Sequence, residues 1–141
     1  MQINEITGAI VDAALKVHTT LGPGLFESVY EACLIHELKS RGLEVASQVA
    51  LPVIYGKVRV EAGFRIDLLV EDAVVVEIKS VEELAPIHST QVLTYLRLSG
   101  KPVGLLINFN VTWLKNGIKR FVSDEHSVSE GEATTRDSRG A

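Results

Sequence analysis

The stretch FRIDLLVEDAVVVEIKS, residues 64–80, decides the fold, because it contains two β-forming runs separated by a short polar turn. In the first run every second side chain is apolar, so one face of the predicted strand carries Phe64, Ile66, Leu68 and Val70. The other face carries Arg65, Asp67 and Leu69. In the second run, Val75, Glu77 and Lys79 share a face. The stretch therefore predicts an antiparallel strand pair.

The length of the turn sets the register of this pair. A three-residue loop at 71–73 pairs position 70 with 74 and places Asp67 opposite Glu77. A two-residue loop would set Glu77 against Ile66 and mix polar with apolar faces. We therefore expect two carboxylates directly across from each other, with Cβ atoms about 5 Å apart.

This pair of acids has a chemical interpretation. Opposed carboxylates repel each other, so the arrangement favours a cation between them. Oxygen ligands on a rigid strand pair suit Mg²⁺ or Mn²⁺, which also bind water and phosphate oxygens. Lys79, two residues beyond Glu77 on the same face, supplies a positive charge. Asp67, Glu77 and Lys79 are thus the parts needed for metal-assisted phosphodiester hydrolysis, although D…ExK is a short motif that an ordinary polar strand face also produces.

The rest of the chain surrounds the strand pair with helices and further strands. Helical periodicity covers residues 3–20 and continues after the turn Leu21-Gly22-Pro23-Gly24 to about Gly42. Strands are expected at 43–50, 51–56, 58–70, 73–80 and 103–109, with a helix at 86–99 and an edge strand at 118–122. The order ααββββαββ predicts an α/β fold in which a mixed central β-sheet is flanked by helices.

Composition bounds the domain and its environment. Residues 1–122 are predicted to form one domain, and 123–141 a disordered polar tail, because the tail lacks large apolar side chains. Cys33 is the only cysteine, which excludes an internal disulfide and suits a reducing, cytoplasmic location. No apolar segment is long enough to cross a membrane, so no membrane association is expected.

Charge is distributed unevenly along the predicted domain. Residues 1–78 hold six bases and eleven acids, whereas residues 79–122 hold six bases and two acids. A local positive region can contact a polyanion even on an acidic chain. The candidate phosphate contacts are Lys101, Lys115, Lys119 and Arg120.

Four further side chains accompany the acids. Glu27 lies in the first turn of the second helix, with Tyr30 three residues later, and Gln91 and Tyr95 are an i, i+4 pair on the helix after the ExK strand. Each also has an ordinary structural explanation: a helix-dipole glutamate, a core tyrosine and a solvated glutamine.

Three segments together resemble the GxxExxY protein family, a branch of the PD-(D/E)xK nuclease superfamily, over about residues 1–122. They are LGPGLFESVYEACL, FRIDLLVEDAVVVEIKS and QVLTYLRLSGKPVGLLINF. The resemblance implies a restriction-endonuclease-like core and Mg²⁺-dependent cleavage of nucleic acid.

The resemblance also implies roles for individual residues. Asp67 and Glu77 match the metal-binding acids, Lys79 the catalytic lysine, and Glu27 the helix acid. Gln91 and Tyr95 match the QxxxY element, which supports the site or contacts nucleic acid in related nucleases. His18 falls within the family's N-terminal pattern, but we interpret it as a helix-end histidine bonded to backbone. Ile66 stands where the superfamily name has proline.

The leading interpretation is a small metal-dependent nuclease, with Asp67, Glu77 and Glu27 as ligands and the backbone carbonyl of Ile78 as a further candidate ligand. A second interpretation is a catalytically silent module that binds nucleic acid or protein on the same fold. A third, a hydrolase of small phosphate esters, is disfavoured because no Gly-rich phosphate loop is present. The sequence leaves open DNA or RNA, strandedness, internal or terminal cuts, sequence specificity, biological role and oligomeric state.

Overall fold

The computed structural model describes residues 1–123, which form three α-helices, seven β-strands and one short 3₁₀ helix. In chain order these are α1 (Ile3–Leu21), α2 (Glu27–Ser40), β1 (Val45–Ala50), β2 (Val53–Tyr55), β3 (Val58–Val60), β4 (Arg65–Val70), β5 (Val74–Lys79), α3 (Pro86–Ser99), β6 (Val103–Asn108), the 3₁₀ helix (Leu114–Gly117) and β7 (Ile118–Val122).

The central sheet has five strands in the order β1-β4-β5-β6-β7. Strands β5 and β6 are parallel, whereas the other neighbouring pairs are antiparallel. The helix α3 forms the crossover that a parallel pair requires. The predicted α/β class, with a mixed central sheet flanked by helices, is confirmed.

The helices cover the two faces of the sheet unequally. On one face α1 and α2 pack against the side chains of Leu68, Val76 and Leu105. On the other face α3 packs against Val75 and Leu106. Each face of the sheet is thereby buried in its own apolar cluster. Because both faces are buried, the sequences of the central strands are nearly continuous apolar runs.

The carboxyl ends of β5 and β6 meet at one end of the sheet, where Lys79 pairs with Asn108. We call this end of the sheet the Lys79 end. The last turn of α1 also lies there, because Nε2 of His18 is 2.8 Å from the carbonyl oxygen of Val111, just beyond β6. His18 is buried, so its interpretation as a histidine bonded to backbone is confirmed.

Residues 58–70 were predicted to form one strand, and this prediction is wrong. The structure divides them into β3, which pairs with β2 in a separate two-stranded sheet, and β4 of the central sheet. The break includes Gly63, whose φ of 81° is a left-handed conformation that interrupts an extended run. The first part of the segment, β3, therefore forms a hairpin with β2, and only the second part, β4, belongs to the central sheet.

The predicted side-chain alternation of β4 also fails at its first half. Leu68 and Val70 belong to the cluster under α1 and α2, but Ile66 belongs to the cluster under α3. Phe64 lies outside the strand and is 42% exposed. The strand therefore changes face between Ile66 and Leu68, at Asp67.

The described domain extends one residue beyond its predicted end. Ser123 was assigned to the tail, but it is buried, and its backbone N–H donates a 2.9 Å hydrogen bond to the carbonyl of Pro102. The remainder of the predicted disordered tail lies outside the described residues. Within residues 1–123, none of the helices combines the length and apolar composition that a membrane crossing would require.

Candidate active site

Asp67 and Glu77 come together where the ladder between β4 and β5 ends. Its pairs run from Val70–Val74 to Leu68–Val76, which is the register that the three-residue loop predicted. At the next position, hydrogen bonds from backbone N–H groups to side-chain oxygens replace the backbone pairing of the ladder. The backbone N–H of Asp67 donates to Oε2 of Glu77 at 2.9 Å, and the backbone N–H of Ile78 donates to Oδ2 of Asp67 at 2.8 Å.

Burial gives the two acids unusual electrostatics. Glu77 is only 4% exposed, and burial, followed by the negative charge of Asp67, raises the pKa of Glu77 to about 8. Burial also raises the pKa of Asp67, although the hydrogen bond from Ile78 opposes this rise. Because both ionised forms are disfavoured, a positive charge placed between the carboxylates would be stabilised by both.

Lys79 lies two residues beyond Glu77, at the end of β5, and its side chain is half-buried. Its positive charge lowers the pKa of both Asp67 and Glu77. Among residues 1–123, its ammonium forms no ion pair or hydrogen bond. Lys79 therefore lies within electrostatic range of the acids while its donors remain available to another group.

Glu27 reaches the same region from the first turn of α2. Its Oε2 accepts a 3.1 Å hydrogen bond from the backbone N–H of Ser80, the residue after Lys79. The hydroxyl of Ser80 donates in turn to the carbonyl of Leu25 at 2.6 Å. These two bonds fasten the start of α2 to the end of β5 and hold the exposed Glu27 at the Lys79 end.

Tyr30 stabilises the turn that leads into α2. Its side chain is fully buried and stacks on Phe109 with ring centroids 4.5 Å apart. Its hydroxyl donates to the carbonyl of Gly22 at 2.6 Å and accepts from the backbone N–H of Leu25 at 3.1 Å. Tyr30 thus has a structural task, which is to fix the turn immediately before Glu27.

Tyr95 and Gln91 lie on α3, across the other face of the sheet. Tyr95 is buried, and its pKa is raised first by burial and then by the charges of Glu77 and Asp67. Its ring contacts that of Phe64, with centroids 6.4 Å apart. Gln91, one turn earlier, is half-buried, and its side-chain hydrogen bond with Tyr95 opposes the rise in the Tyr95 pKa. Tyr95 therefore borders the acid pair, with Gln91 beside it.

Two residues at this site were missed by the sequence analysis. Glu31 is half-buried, and burial raises its pKa, with the charges of Asp67 and Glu27 contributing. Its i, i+4 spacing from Glu27 was the signal that could have found it. Gln48 of β1 donates to Glu31 and to Asp67. Nothing in the sequence pattern indicated it, because finding it requires the pairing of β1 with β4.

The carboxylates of Asp67 and Glu77 are suitable ligands for a divalent cation, but these two side chains alone are not a complete ligand set. Within residues 1–123 no three His, Cys, Asp or Glu side chains are grouped closely enough to hold a metal ion. In the same residues Oε2 of Glu77 accepts a hydrogen bond and Oε1 does not. A buried carboxylate oxygen without a donor is a ligand that a hard cation such as Mg²⁺ accepts. Asp67 and Glu77 therefore fit such an ion, and further ligands would come from water or substrate.

Comparison with known proteins adds one finding. Residues 4–121 match the model of the PD-(D/E)XK nuclease superfamily. The match includes the whole central sheet up to Phe121 and all the site residues described above. No curated protein and no solved structure matches the chain.

Proposed function

Because the chain belongs to the PD-(D/E)XK nuclease superfamily, we propose that it is a Mg²⁺-dependent nuclease that hydrolyses phosphodiester bonds in nucleic acid. The observation that carries this proposal is the pair formed by the buried Glu77 and the half-buried Asp67, each accepting a backbone hydrogen bond in the gap between β4 and β5. Burial raises the pKa of both acids, and the charge of Asp67 raises the pKa of Glu77 further. Ionising both is therefore costly in the folded chain, and a cation ligand site gives the pair a function.

Asp67 and Glu77 would hold Mg²⁺ or Mn²⁺, with Glu27 and the carbonyl of Ile78 as further candidate ligands. When bound, the ion would supply Lewis acidity and a water of lowered pKa. The remaining catalytic role belongs to a side chain of the protein itself. Lys79 orients the attacking water or a phosphate oxygen with its free ammonium and stabilises negative charge as it develops on the phosphate.

The finer assignment to the GxxExxY branch is also a proposal, and the local structure supports it. Gly24 has a φ of 98°, which a residue with a side chain rarely adopts. Glu27 bonds to Ser80, and Tyr30 locks the turn between Gly22 and Leu25. Each named position of the motif therefore contributes to holding the helix acid at the Lys79 end.

The basic residues proposed as phosphate contacts lie at different places on the sheet. Lys115 lies in the 3₁₀ helix that follows the carboxyl end of β6, at the Lys79 end. Lys101 precedes β6 at the opposite end of the sheet and pairs with Asp72 at 3.0 Å. Arg120 donates to the side chain of Asn4 at 3.0 Å. We therefore propose that nucleic acid approaches from the Lys79 end, with Lys115 beside it.

The second candidate is a nucleic-acid or protein-binding module without turnover. It is favoured by one observation, the lack of a third acid grouped with Asp67 and Glu77 within residues 1–123. The intact acid pair, and the Lys79 ammonium that has no partner among residues 1–123, favour catalysis instead, since binding alone gives no reason to place a second acid beside the buried Glu77.

The deciding experiment incubates the full chain with labelled single- and double-stranded DNA and RNA in Mg²⁺, Mn²⁺ or EDTA. Asp67→Asn and Lys79→Met are the site variants. Asp12→Asn is the matched control, because Asp12 is exposed on α1 and forms no ion pair or hydrogen bond within residues 1–123.

We expect metal-dependent cleavage by the parent and by Asp12→Asn, no cleavage by Asp67→Asn, and cleavage by Lys79→Met that is slower by about 100-fold or more. Binding without cleavage in every metal condition would favour the second candidate. Cleavage that survives in Asp67→Asn would refute the proposed site.

A further inference from the structure

Gln48 has a backbone conformation that is unusual for its place in a strand. It lies in β1, yet its φ is 52°, in the left-handed region that residues other than glycine and asparagine rarely adopt. Strained backbone of this kind destabilises the folded state and tends to persist at functional sites. Its position beside the acid pair therefore calls for an explanation from its contacts.

Strands β1 and β4 both depart from regular pairing where Gln48 faces Asp67. The ladder between β1 and β4 pairs Ser47 with Leu68 and Val49 with Ile66, and it skips the position where Gln48 faces Asp67. Val45 packs under α1 and α2, whereas Val49, four residues later, packs under α3. Strand β4 changes face at Asp67, so the two strands change face at the same cross-strand position.

The side chain of Gln48 joins two of the acids. Its Nε2 donates to the two carboxylate oxygens of Glu31, at 3.3 and 3.0 Å, and to Oδ1 of Asp67 at 3.4 Å. The other oxygen of Asp67 accepts from the backbone N–H of Ile78. Each oxygen of Asp67 thus has its own donor, which fixes the plane of the carboxylate. Removing the Gln48 amide would leave one donor and free that plane to rotate.

We propose that Gln48 is a positioning residue of the nuclease site: its amide bridges Glu31 and Asp67 and sets the Asp67 carboxylate in the orientation that metal binding and hydrolysis require. This inference rests on the proposed nuclease function. Gln48 itself acts through Asp67 rather than on the substrate. Residues that orient metal ligands in this way typically contribute about 10–100-fold in metal affinity or activity.

The test must separate the amide from the backbone conformation. Gln48→Gly and Gln48→Asn both accept a positive φ without strain, and asparagine keeps the amide but is one methylene shorter. Ser47→Gly is the control, because it places a glycine at the neighbouring exposed position of β1 and leaves Gln48 intact. Glu31→Gln, alone and combined with Gln48→Gly, tests whether the two residues act as a unit.

Three quantities are measured on the full chain: the metal-free melting temperature, Mn²⁺ affinity by calorimetry, and kcat and KM on the nucleic acid that the parent cleaves. We expect Gln48→Gly and Gln48→Asn to melt no lower than the parent, because both residues accept the positive φ with less strain. Their Mn²⁺ affinity and kcat should fall about 10-fold or more while KM changes little. Gln48→Gly should cost less in the Glu31→Gln background than in the parent.

The possible outcomes separate the positioning role of Gln48 from the proposed nuclease function on which it rests. If the parent neither binds Mn²⁺ nor cleaves nucleic acid, the proposed function fails and the role of Gln48 fails with it. If the parent does both and the Gln48 variants match it in affinity and kcat, the nuclease stands and the positioning role is refuted. A fall in melting temperature with unchanged Mn²⁺ affinity would show a structural role only, which also refutes it.

Discussion

Asp67 and Glu77 face each other across β4 and β5, and the backbone N–H of Asp67 donates a 2.9 Å hydrogen bond to the carboxylate of Glu77. The carboxylate of Asp67 accepts the N–H of Ile78 in the same gap. Side chains thereby satisfy backbone groups that a continued ladder would have paired, so the strands can separate without leaving these N–H groups unbonded. The acid pair is thus part of the sheet as well as the centre of the proposed site.

The raised pKa of Glu77 predicts how stability depends on pH in the metal-free protein. The folded chain holds this proton up to about pH 8, whereas the ordinary pKa of the group is 4.5. Its contribution to stability is therefore complete below pH 4.5 and is lost as pH rises through about 8. Because one pKa unit corresponds to about 1.4 kcal/mol, we expect Glu77 to lower the free energy of unfolding in EDTA by at most about 5 kcal/mol over this range.

Glu77→Gln should remove most of this pH dependence, and Asp12→Asn should keep it. Urea unfolding at several pH values measures the effect. A Glu77→Gln variant whose stability follows the same pH curve as the parent would show that Glu77 titrates in its ordinary range.

Tyr30→Phe is expected to weaken the turn before Glu27. The substitution removes a hydroxyl that donates to the carbonyl of Gly22 and accepts from the N–H of Leu25. Leaving these backbone groups without their partner should lower the free energy of unfolding by about 1–2 kcal/mol. Tyr55→Phe, at a side chain that is 79% exposed, is the control. Equal denaturation midpoints for the two variants would contradict the role given to Tyr30.

Lys79→Met should separate binding from chemistry. Lys79 has no carboxylate partner within 4 Å among residues 1–123, so its loss should leave the fold intact. Without its charge, kcat should fall by about 100-fold or more. Mn²⁺ binding should persist, because Asp67 and Glu77 remain. Calorimetry alongside single-turnover cleavage measures both, and undiminished cleavage would remove Lys79 from the mechanism.

Lys115 and Lys101 predict opposite effects on nucleic-acid binding. Lys115→Ala should weaken binding and reduce the slope of log affinity against log salt by about 1. Lys101→Ala should change neither, because Lys101 lies at the far end of β6 and pairs with Asp72. Fluorescence anisotropy with a labelled oligonucleotide, across a salt series, tests this. Equal losses from both variants would contradict approach from the Lys79 end.

The sequence predicted the register of β4 and β5 because loop length and side-chain alternation both constrain it. The same alternation failed at Ile66, where a local change of face overrides the period of two. Gln48 could not be found, because its role depends on a left-handed backbone and on pairing between strands distant in sequence. Glu31 was within reach, since it lies one helical turn after Glu27.

The proposed nuclease activity depends most on the binding of a divalent cation by Asp67 and Glu77. Thermal melting of the parent, Asp67→Asn and Glu77→Gln, with and without about 10 mM Mg²⁺, tests this binding most directly. We expect Mg²⁺ to raise the melting temperature of the parent and of neither variant. In the metal-free state above about pH 8, where both acids are ionised, both variants should be no less stable than the parent, because the repulsion between the acids is relieved. A parent that shows no metal-dependent shift with Mg²⁺ or Mn²⁺, and variants that match it throughout, would contradict the account.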